Sequence, residues 1–185
     1  MPFLMITRAD AGNVPVQRAA LRVMEVAREA ANLFGVLIEE KSLRLVLEGD
    51  ERVELEAYRV ILKEAFANII HNAVNYSPAE DAIVVRVLNR DASQVTVEVE
   101  DQGPGIPLDD QVTVFDGFYR GSTAREGNLS GAGLGLAIAK WAVEESGGSI
   151  GLASAAGRGC TSRIIFASYP PMTSNKYRMM LPQRR

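Results

Sequence analysis

The 185-residue chain is 47% hydrophobic and carries a formal net charge of −3. This length and composition favour one domain with a proper hydrophobic core. Because the 20 basic residues are spread along the chain, we expect no nucleic-acid partner. The single cysteine, Cys160, excludes an internal disulfide framework and a cysteine-based zinc site, and it fits a reducing, cytoplasmic compartment. No apolar run approaches the ~20 residues of a membrane helix, so we expect a soluble chain that is not inserted in a membrane.

The first half of the chain predicts two helices and two short strands. Residues 1–12 end in a pattern typical of a helix that is stopped by glycine. Apolar residues recur at helical spacing over 21–40, and a longer helix is predicted for 57–76, where a Ser-Pro pair follows. Between these helices, 44–47 and 52–55 are predicted strands around a Gly-Asp turn.

The second half predicts two antiparallel hairpins, one more helix and a long aperiodic segment. The hairpin strands are 82–88 with 94–100 and 149–154 with 160–167, and the helix is 134–146. The stretch 104–131 has little periodicity, and its length suggests a lid. Strands mixed with three main helices predict an α+β fold with two layers, a sheet covered by helices.

Polar residues cover one side of the predicted helix 57–76. At about 100° per residue, one arc of this helix is polar and the opposite arc is apolar. The polar arc holds Glu64, Asn68, His71, Asn72 and Asn75. Asparagine costs a helix roughly 0.5 kcal/mol relative to alanine, and here it does not improve packing. The arc is therefore either a solvated surface or a set of amide oxygens for a hard cation such as Mg²⁺, which is also coordinated by phosphate oxygens.

An aspartate ends the predicted strand 94–100 and precedes a glycine turn. Asp101 has the same parity as the valines of this strand, so its carboxylate points to the otherwise apolar side, where it needs a donor. Gly103 and Gly105 let the backbone bend and let a flat ligand approach closely. A carboxylate in an apolar slot can accept a hydrogen bond from an exocyclic amine such as that of adenine. The alternative is an aspartate that only caps the next turn.

A third segment places Gly131, Gly133 and Gly135 where a loop opens a helix. Free backbone N–H groups and the helix dipole favour phosphate at such a position. The segment is not a Walker A loop, and it does not follow a strand as a dinucleotide-binding fingerprint does. By itself it indicates phosphate binding only weakly.

In this order, the three segments resemble those of the catalytic and ATP-binding domain of bacterial sensor histidine kinases, within the superfamily shared with gyrase, Hsp90 and MutL. The similarity covers residues 8–166. Its matching segments are 68–76, 101–105, 115–120, 131–136 and 157–161. The resemblance implies a Bergerat-type ATP-binding fold, with a mixed, mostly antiparallel sheet and a mobile lid over ATP.

The resemblance also implies roles for particular residues. Asn72 and Asn68 would hold Mg²⁺ and the phosphates and, with Glu64, form the catalytic set. Asp101 would bind the adenine amine, and Thr161 would lie near the base. The full set of implied cofactor-binding residues is Asn68, Asn72, Asn75, Tyr76, Asp101, Gly103, Gly105, Ile106, Tyr119, Arg120, Gly131, Gly133, Leu134, Gly135, Leu136 and Thr161.

One position separates phosphate transfer from hydrolysis within this superfamily. Its hydrolysing members place a glutamate one helical turn before the magnesium asparagine, where this chain has Asn68. The resemblance therefore implies ATP held for transfer to a histidine outside this chain's ATP-binding domain. The only histidine, His71, shares the nucleotide arc, so we interpret it as structural or at the pocket edge.

The implied function is donation of the ATP γ-phosphate to a histidine, for relay to a response-regulator aspartate. Residues 1–12 would end the second helix of a dimerisation and phosphoacceptor hairpin, 13–168 would form the catalytic domain, and 169–185 a disordered tail. The implied partners are that hairpin and a receiver domain, in a homodimeric protein that is cytoplasmic or anchored to the inner membrane. The alternatives are an anti-sigma-type serine kinase and a non-catalytic nucleotide-binding module; Asn75, where many relatives carry lysine, favours the second.

Overall fold

The computed structural model describes residues 17–91, 94–119 and 132–167. Within these ranges the chain forms seven strands and five helices. The strands are β1 (Ala19–Arg22), β2 (Arg44–Gly49), β3 (Glu54–Ala57), β4 (Ala82–Asp91), β5 (Gln94–Asp101), β6 (Gly148–Ser154) and β7 (Cys160–Ala167). The helices are α1 (Val23–Asn32), α2 (Gly35–Glu40), α3 (Arg59–Tyr76), α4 (Leu108–Gln111) and α5 (Gly135–Glu145).

Five strands form the main sheet in the order β2-β4-β5-β7-β6. β2 and β4 are parallel, and the other neighbouring strands are antiparallel. In the central strand β5, the alternating residues Val95, Val97 and Val99 are buried in the hydrophobic core. β1 and β3 form a separate antiparallel pair.

The three main helices, α1, α3 and α5, cover one face of the main sheet. α3 packs against both α1 and α5. Met24, Phe66, Ile70 and Val143 from these helices join Phe166 of β7 in one hydrophobic cluster. Full burial of a large apolar side chain contributes about 1.5–3 kcal/mol, so this cluster dominates the stability. The arrangement confirms the predicted α+β two-layer sandwich, with its mixed, mostly antiparallel sheet.

The predicted helix 21–40 is wrong at its start and in its middle. Leu21 lies in β1, where it pairs with Leu55 of β3, and the helix begins at Val23. The first helix then ends before Leu33, and Gly35–Glu40 forms a second, shorter helix. Leu21 is buried, as the helical spacing suggested, but strand pairing rather than a helix buries it.

The other predicted elements match the structure to within three residues. The predicted strand 52–55 starts at Glu54, and the long helix starts at Arg59 because Ala57 still belongs to β3. β2 and β3 do not pair with each other, since they belong to different sheets.

The predicted helix end at 1–12, residues 120–131 of the predicted lid 104–131, and the tail at 169–185 lie outside the described residues. The domain boundaries therefore stay predictions. Within the described part of 104–131, Leu108–Gln111 forms α4, a short helix that the lack of periodicity did not predict. None of the helices in the described ranges is long and apolar enough to cross a membrane.

Candidate functional site

A cavity of about 150 Å³ opens beside the inner face of α3. Its walls come from α3 (Ile69, Asn72, Ala73, Tyr76), β5 and the following loop (Val99, Asp101, Pro104, Gly105, Ile106, Pro107), α4 and the following turns (Asp110, Val114, Tyr119), the start of α5 (Gly133, Gly135, Leu136) and the last hairpin (Leu152, Cys160, Ser162). Most of these residues are apolar, with a few polar groups among them. Such a lining suits a flat ligand that is fixed by a small number of hydrogen bonds.

Asp101 provides a carboxylate at one end of this cavity. Its Oδ1 accepts a hydrogen bond from the backbone N–H of Gly103 at 2.8 Å, and the backbone N–H of Cys160 also donates to it. Burial raises the pKa of Asp101, while these two N–H donors act in the opposite direction. Asp101 thus caps the turn that follows, as the second alternative for this residue proposed, and it also lines the cavity.

The loop after Asp101 is fastened to the turn between β6 and β7. The backbone N–H of Gly159 donates to Gly103 O at 3.0 Å, and that of Gly157 donates to Pro104 O at 2.7 Å. Gly105 has φ 70°, and a Cβ there would lie 1.9 Å from Ala155 O. Only glycine fits this close approach, which explains the second glycine of the motif.

The side chains of Asn68 and Asn72 converge on the first residue of α5. Asn68 Nδ2 donates to Glu64 O at 2.9 Å and to Glu64 Oε1 at 3.0 Å. A Cβ on Gly135 would lie 3.4 Å from Asn68 Oδ1 and 3.5 Å from Asn72 Oδ1. The absence of a side chain at Gly135 therefore leaves a space that is bordered by two amide oxygens.

The start of α5 adds hydrogen-bond donors to this space. Its N-cap residue, Leu134, makes no side-chain capping hydrogen bond. The first N–H groups of a helix have no partners within the helix, and the helix dipole makes this end favourable for an anion. Amide oxygens for a cation and N–H groups for an anion thus lie close together.

Lys41 caps the C-terminal end of α3. Its Nζ donates to Val74 O at 2.7 Å and to Asn75 O and Ser77 O at 2.9 Å each, so it caps a helix that has no basic residue in its own last turn. Burial lowers the pKa of Lys41. Because Tyr76 of this last turn lines the cavity, the cap also holds part of the cavity wall.

His71 and Asn75 are not among the residues that line the cavity. The His71 ring stacks on Phe34, with centroids 5.1 Å apart and an interplanar angle of 20°. Its Nε2 lies 3.2 Å from Asn75 Nδ2, and the direction of this hydrogen bond depends on the tautomer.

Thr161 does not line the cavity, whereas its neighbours Cys160 and Ser162 do. Side chains alternate along β7, so Thr161 points to the opposite face of the sheet. Cys160 pairs with Asp101 in the sheet register, and burial raises the pKa of its thiol to about 11. Because side chains alternate along the strand, Cys160 and Ser162 lie on the same face as the buried Ile164 and Phe166. The sequence pattern could therefore have indicated Cys160 and Ser162 as cavity residues.

The cavity gathers most, but not all, of the residues that the sequence pointed to. Those that line it are Asn72, Tyr76, Asp101, Gly105, Ile106, Tyr119, Gly133, Gly135 and Leu136. Those described but not lining it are Glu64, Asn68, Asn75, Gly103, Leu134 and Thr161. Arg120 and Gly131 lie outside the described residues. We did not predict Asp110, Val114 or Pro107 from the sequence, because nothing local indicates that α4 and its flanking turns face the cavity.

An α+β sandwich with this cavity between its long helix and the loops after β5 is the architecture of an ATP-binding domain. Residues 57–171 match the family described as histidine kinase-, DNA gyrase B-, and HSP90-like ATPase. The chain belongs to this family.

Curated relatives are sensor kinases much longer than this chain. Sensor protein IrlS of Burkholderia pseudomallei is 31% identical over 155 residues, which are 82% of this chain and 32% of IrlS. Sensor histidine kinase WalK of Bacillus subtilis is 32% identical over 162 residues, 86% of this chain and 26% of WalK. The chain thus spans about a third or less of these two relatives.

Solved structures show the same fold. The mycobacterial sensor histidine kinase MprB aligns with a TM-score of 0.70 and 25% identity, over 83% of this chain and 99% of that one. Full-length ShkA in complex with AMPPNP aligns with a TM-score of 0.72 and 24% identity, over 90% of this chain and 35% of that one.

Proposed function

We propose that this chain is the ATP-binding catalytic domain of a sensor histidine kinase. It donates the γ-phosphate of ATP to a histidine on a dimerisation and phosphoacceptor hairpin, from which a response-regulator aspartate receives it. The names of the relatives support this function over the anti-sigma-type serine kinase. The full-length protein would act as a homodimer that is cytoplasmic or anchored to the inner membrane.

The observation that carries this proposal is the space at Gly135. Two amide oxygens, from Asn68 and Asn72, border the start of a helix whose N-cap gives no side-chain hydrogen bond. At the other end of the same cavity, Asp101 offers a partly buried carboxylate. One end of the cavity thus offers a hydrogen-bond acceptor for an exocyclic amine, and the other end offers N–H donors for phosphate. This arrangement fits an adenine nucleotide.

Glu64 has an orienting role in this proposal. Because Asn68 Nδ2 donates to both Glu64 O and Glu64 Oε1, the amide oxygen of Asn68 is turned away from Glu64 and toward Gly135. Glu64 is thus bound to an amide instead of being placed to activate water. The site favours holding the triphosphate for transfer.

The residues present fit a magnesium ion that is shared with phosphates. Among the described residues no cluster of three or more His, Cys, Asp or Glu could hold a metal by itself. Asn72 and Asn68 supply neutral oxygens, a suitable donor set for Mg²⁺ that keeps waters and phosphate oxygens as its other ligands. When bound, Mg²⁺ would neutralise phosphate charge.

Phosphotransfer in trans tests this function. The chain is mixed with γ-labelled ATP, Mg²⁺ and a separately produced dimeric hairpin that carries the phosphoacceptor histidine. We expect an acid-labile, base-stable label on the hairpin histidine, and none when Asn72→Ala replaces the parent domain. Label that resists acid, as on serine, or no label with a hairpin that a complete kinase phosphorylates, would contradict the proposal.

A further inference from the structure

The loop that lines the cavity beside Asp101 is held by side chains from two other elements. The backbone N–H of Ile106 donates to Ser154 Oγ at 2.9 Å, and Ile106 O accepts from Gln111 Nε2 at 2.8 Å. Both polar backbone atoms of a cavity-lining residue are therefore bound by side chains. Ile106 cannot move without losing a hydrogen bond from β6 or from α4.

These contacts extend into one connected group. Gln111 Nε2 also donates to Ser154 O at 2.9 Å, and Ser154 Oγ donates to Gly159 O at 2.6 Å. We call Ile106, Gln111, Ser154 and Gly159 the base-loop cluster. Gln111 is its member from α4, and it uses both N–H donors of its amide within the cluster.

α4 depends on such polar contacts because it buries little apolar surface. It has four residues, and none of them is buried. Leu108 is 78% exposed, and Val112 just after the helix is 83% exposed. The helix itself therefore gains little from hydrophobic burial, and the buried apolar side chain that follows it is Val114, three residues beyond its end. Asp110 nevertheless lines the cavity, so α4 has to be held in place in another way.

We propose that Gln111 is a positioning residue for nucleotide binding. Its amide ties α4 to the loop 103–106 and to β6, which sets the width of the cavity at its Asp101 end. Gln111 does not line the cavity, so it acts through Ile106 and Asp110. The proposal rests on the proposed function, since it assigns the Asp101 end to the base of the nucleotide.

Gln111→Leu removes both donors and keeps the side chain near its original size. Gln17→Leu is the matched control, because Gln17 is an exposed glutamine outside the segments that line the cavity. Affinities for adenosine and for Mg²⁺-ADP are measured by NMR titration of the two variants and the parent chain, well below their melting temperatures. We expect Gln111→Leu to weaken both ligands by the same factor, about threefold to tenfold, because the hydrogen bonds act on the base end alone. The control should match the parent.

Comparing the affinities for the two ligands with the melting temperature separates a positioning role of Gln111 from a purely structural one. A lower melting temperature with both affinities within about twofold of the parent would show a structural role only and overturn the proposal. Weakening confined to Mg²⁺-ADP would overturn it too, because the base end would then be intact. If Gln111→Leu does not fold, Gln111→Glu, which replaces the donors by acceptors, must lower the affinities for adenosine and Mg²⁺-ADP by the same factor. A folded parent chain that binds neither ligand would refute the proposed function itself, and this proposal with it.

Discussion

Replacing Gly135 by alanine should make the domain more stable and at the same time a poorer binder of Mg²⁺-nucleotide. Gly135 begins α5 and has no left-handed backbone conformation, so alanine is compatible with the helix. Alanine is favoured over glycine in a helix by up to about 1 kcal/mol, less at the first turn, which corresponds to about 1–4 °C in melting temperature for a domain of this size.

The effect on binding follows from the position of the new methyl group. It would lie 3.4 Å from Asn68 Oδ1 and 3.5 Å from Asn72 Oδ1, an ordinary contact for the protein. A water, cation or phosphate oxygen that approaches both amides from the side of α5 would overlap it. Losing one hydrogen bond to a charged group costs about 1.5–3 kcal/mol, so we expect affinity for Mg²⁺-ADP to fall about tenfold to a hundredfold.

Calorimetric titration and thermal unfolding on the same samples measure both effects. Gly35→Ala is the matched control, because Gly35 also begins a helix and a Cβ there meets nothing within 4 Å. This control should leave binding unchanged. Unaltered Mg²⁺-ADP affinity in Gly135→Ala, together with its gain in stability, would refute the assignment of this space to phosphate and metal.

Three further predictions concern single groups around the cavity. Asp101→Asn should lower adenosine affinity about tenfold or more, measured by NMR titration, because the acceptor for the amine loses its charge. Burial raises the pKa of Asp101, so its contribution to stability is present below its unfolded pKa and is lost as pH rises through its folded pKa; the free energy of unfolding of the parent relative to that of the variant should therefore fall between pH 3 and pH 7. Lys41→Met should lower the free energy of unfolding by about 1.5–3 kcal/mol in urea titrations, because three carbonyl groups lose a charged donor, and a change near zero would contradict the capping role. Cys160, with its pKa raised to about 11, should react slowly with iodoacetamide at pH 8 and about tenfold faster per pH unit up to pH 10, and ADP should protect it; fast labelling at pH 8 would show that the thiol is not buried in the cavity.

The sequence predicted the elements whose partners are close along the chain. The hairpins β4-β5 and β6-β7 were predictable because alternation and turn residues lie within one short segment. The parallel pairing of β2 with β4, and the separate pair β1-β3, depend on contacts between distant segments. For this reason Leu21 was placed in a helix, although the ladder with Leu55 makes it part of a strand.

The cavity was predictable where side-chain periodicity decides orientation. The parity of Asp101 with the valines of β5 correctly predicted that its carboxylate faces the helix-covered side, where it lines the cavity. The helical arc of Asn68 and Asn72 was visible in the same way, but their convergence on Gly135 required the packing of α3 on α5. Asp110 and Gln111 carry no local signal, because α4 takes its position from contacts with Ser154, far along the chain.

A crystal structure of the chain with a non-hydrolysable ATP analogue and Mg²⁺ tests the proposed nucleotide site most directly. We expect the adenine amine within hydrogen-bond distance of the Asp101 carboxylate, the metal against the amide oxygen of Asn72, and phosphate oxygens at the first N–H groups of α5. A nucleotide bound with its base away from Asp101, or with its phosphates away from Gly135, would refute this site.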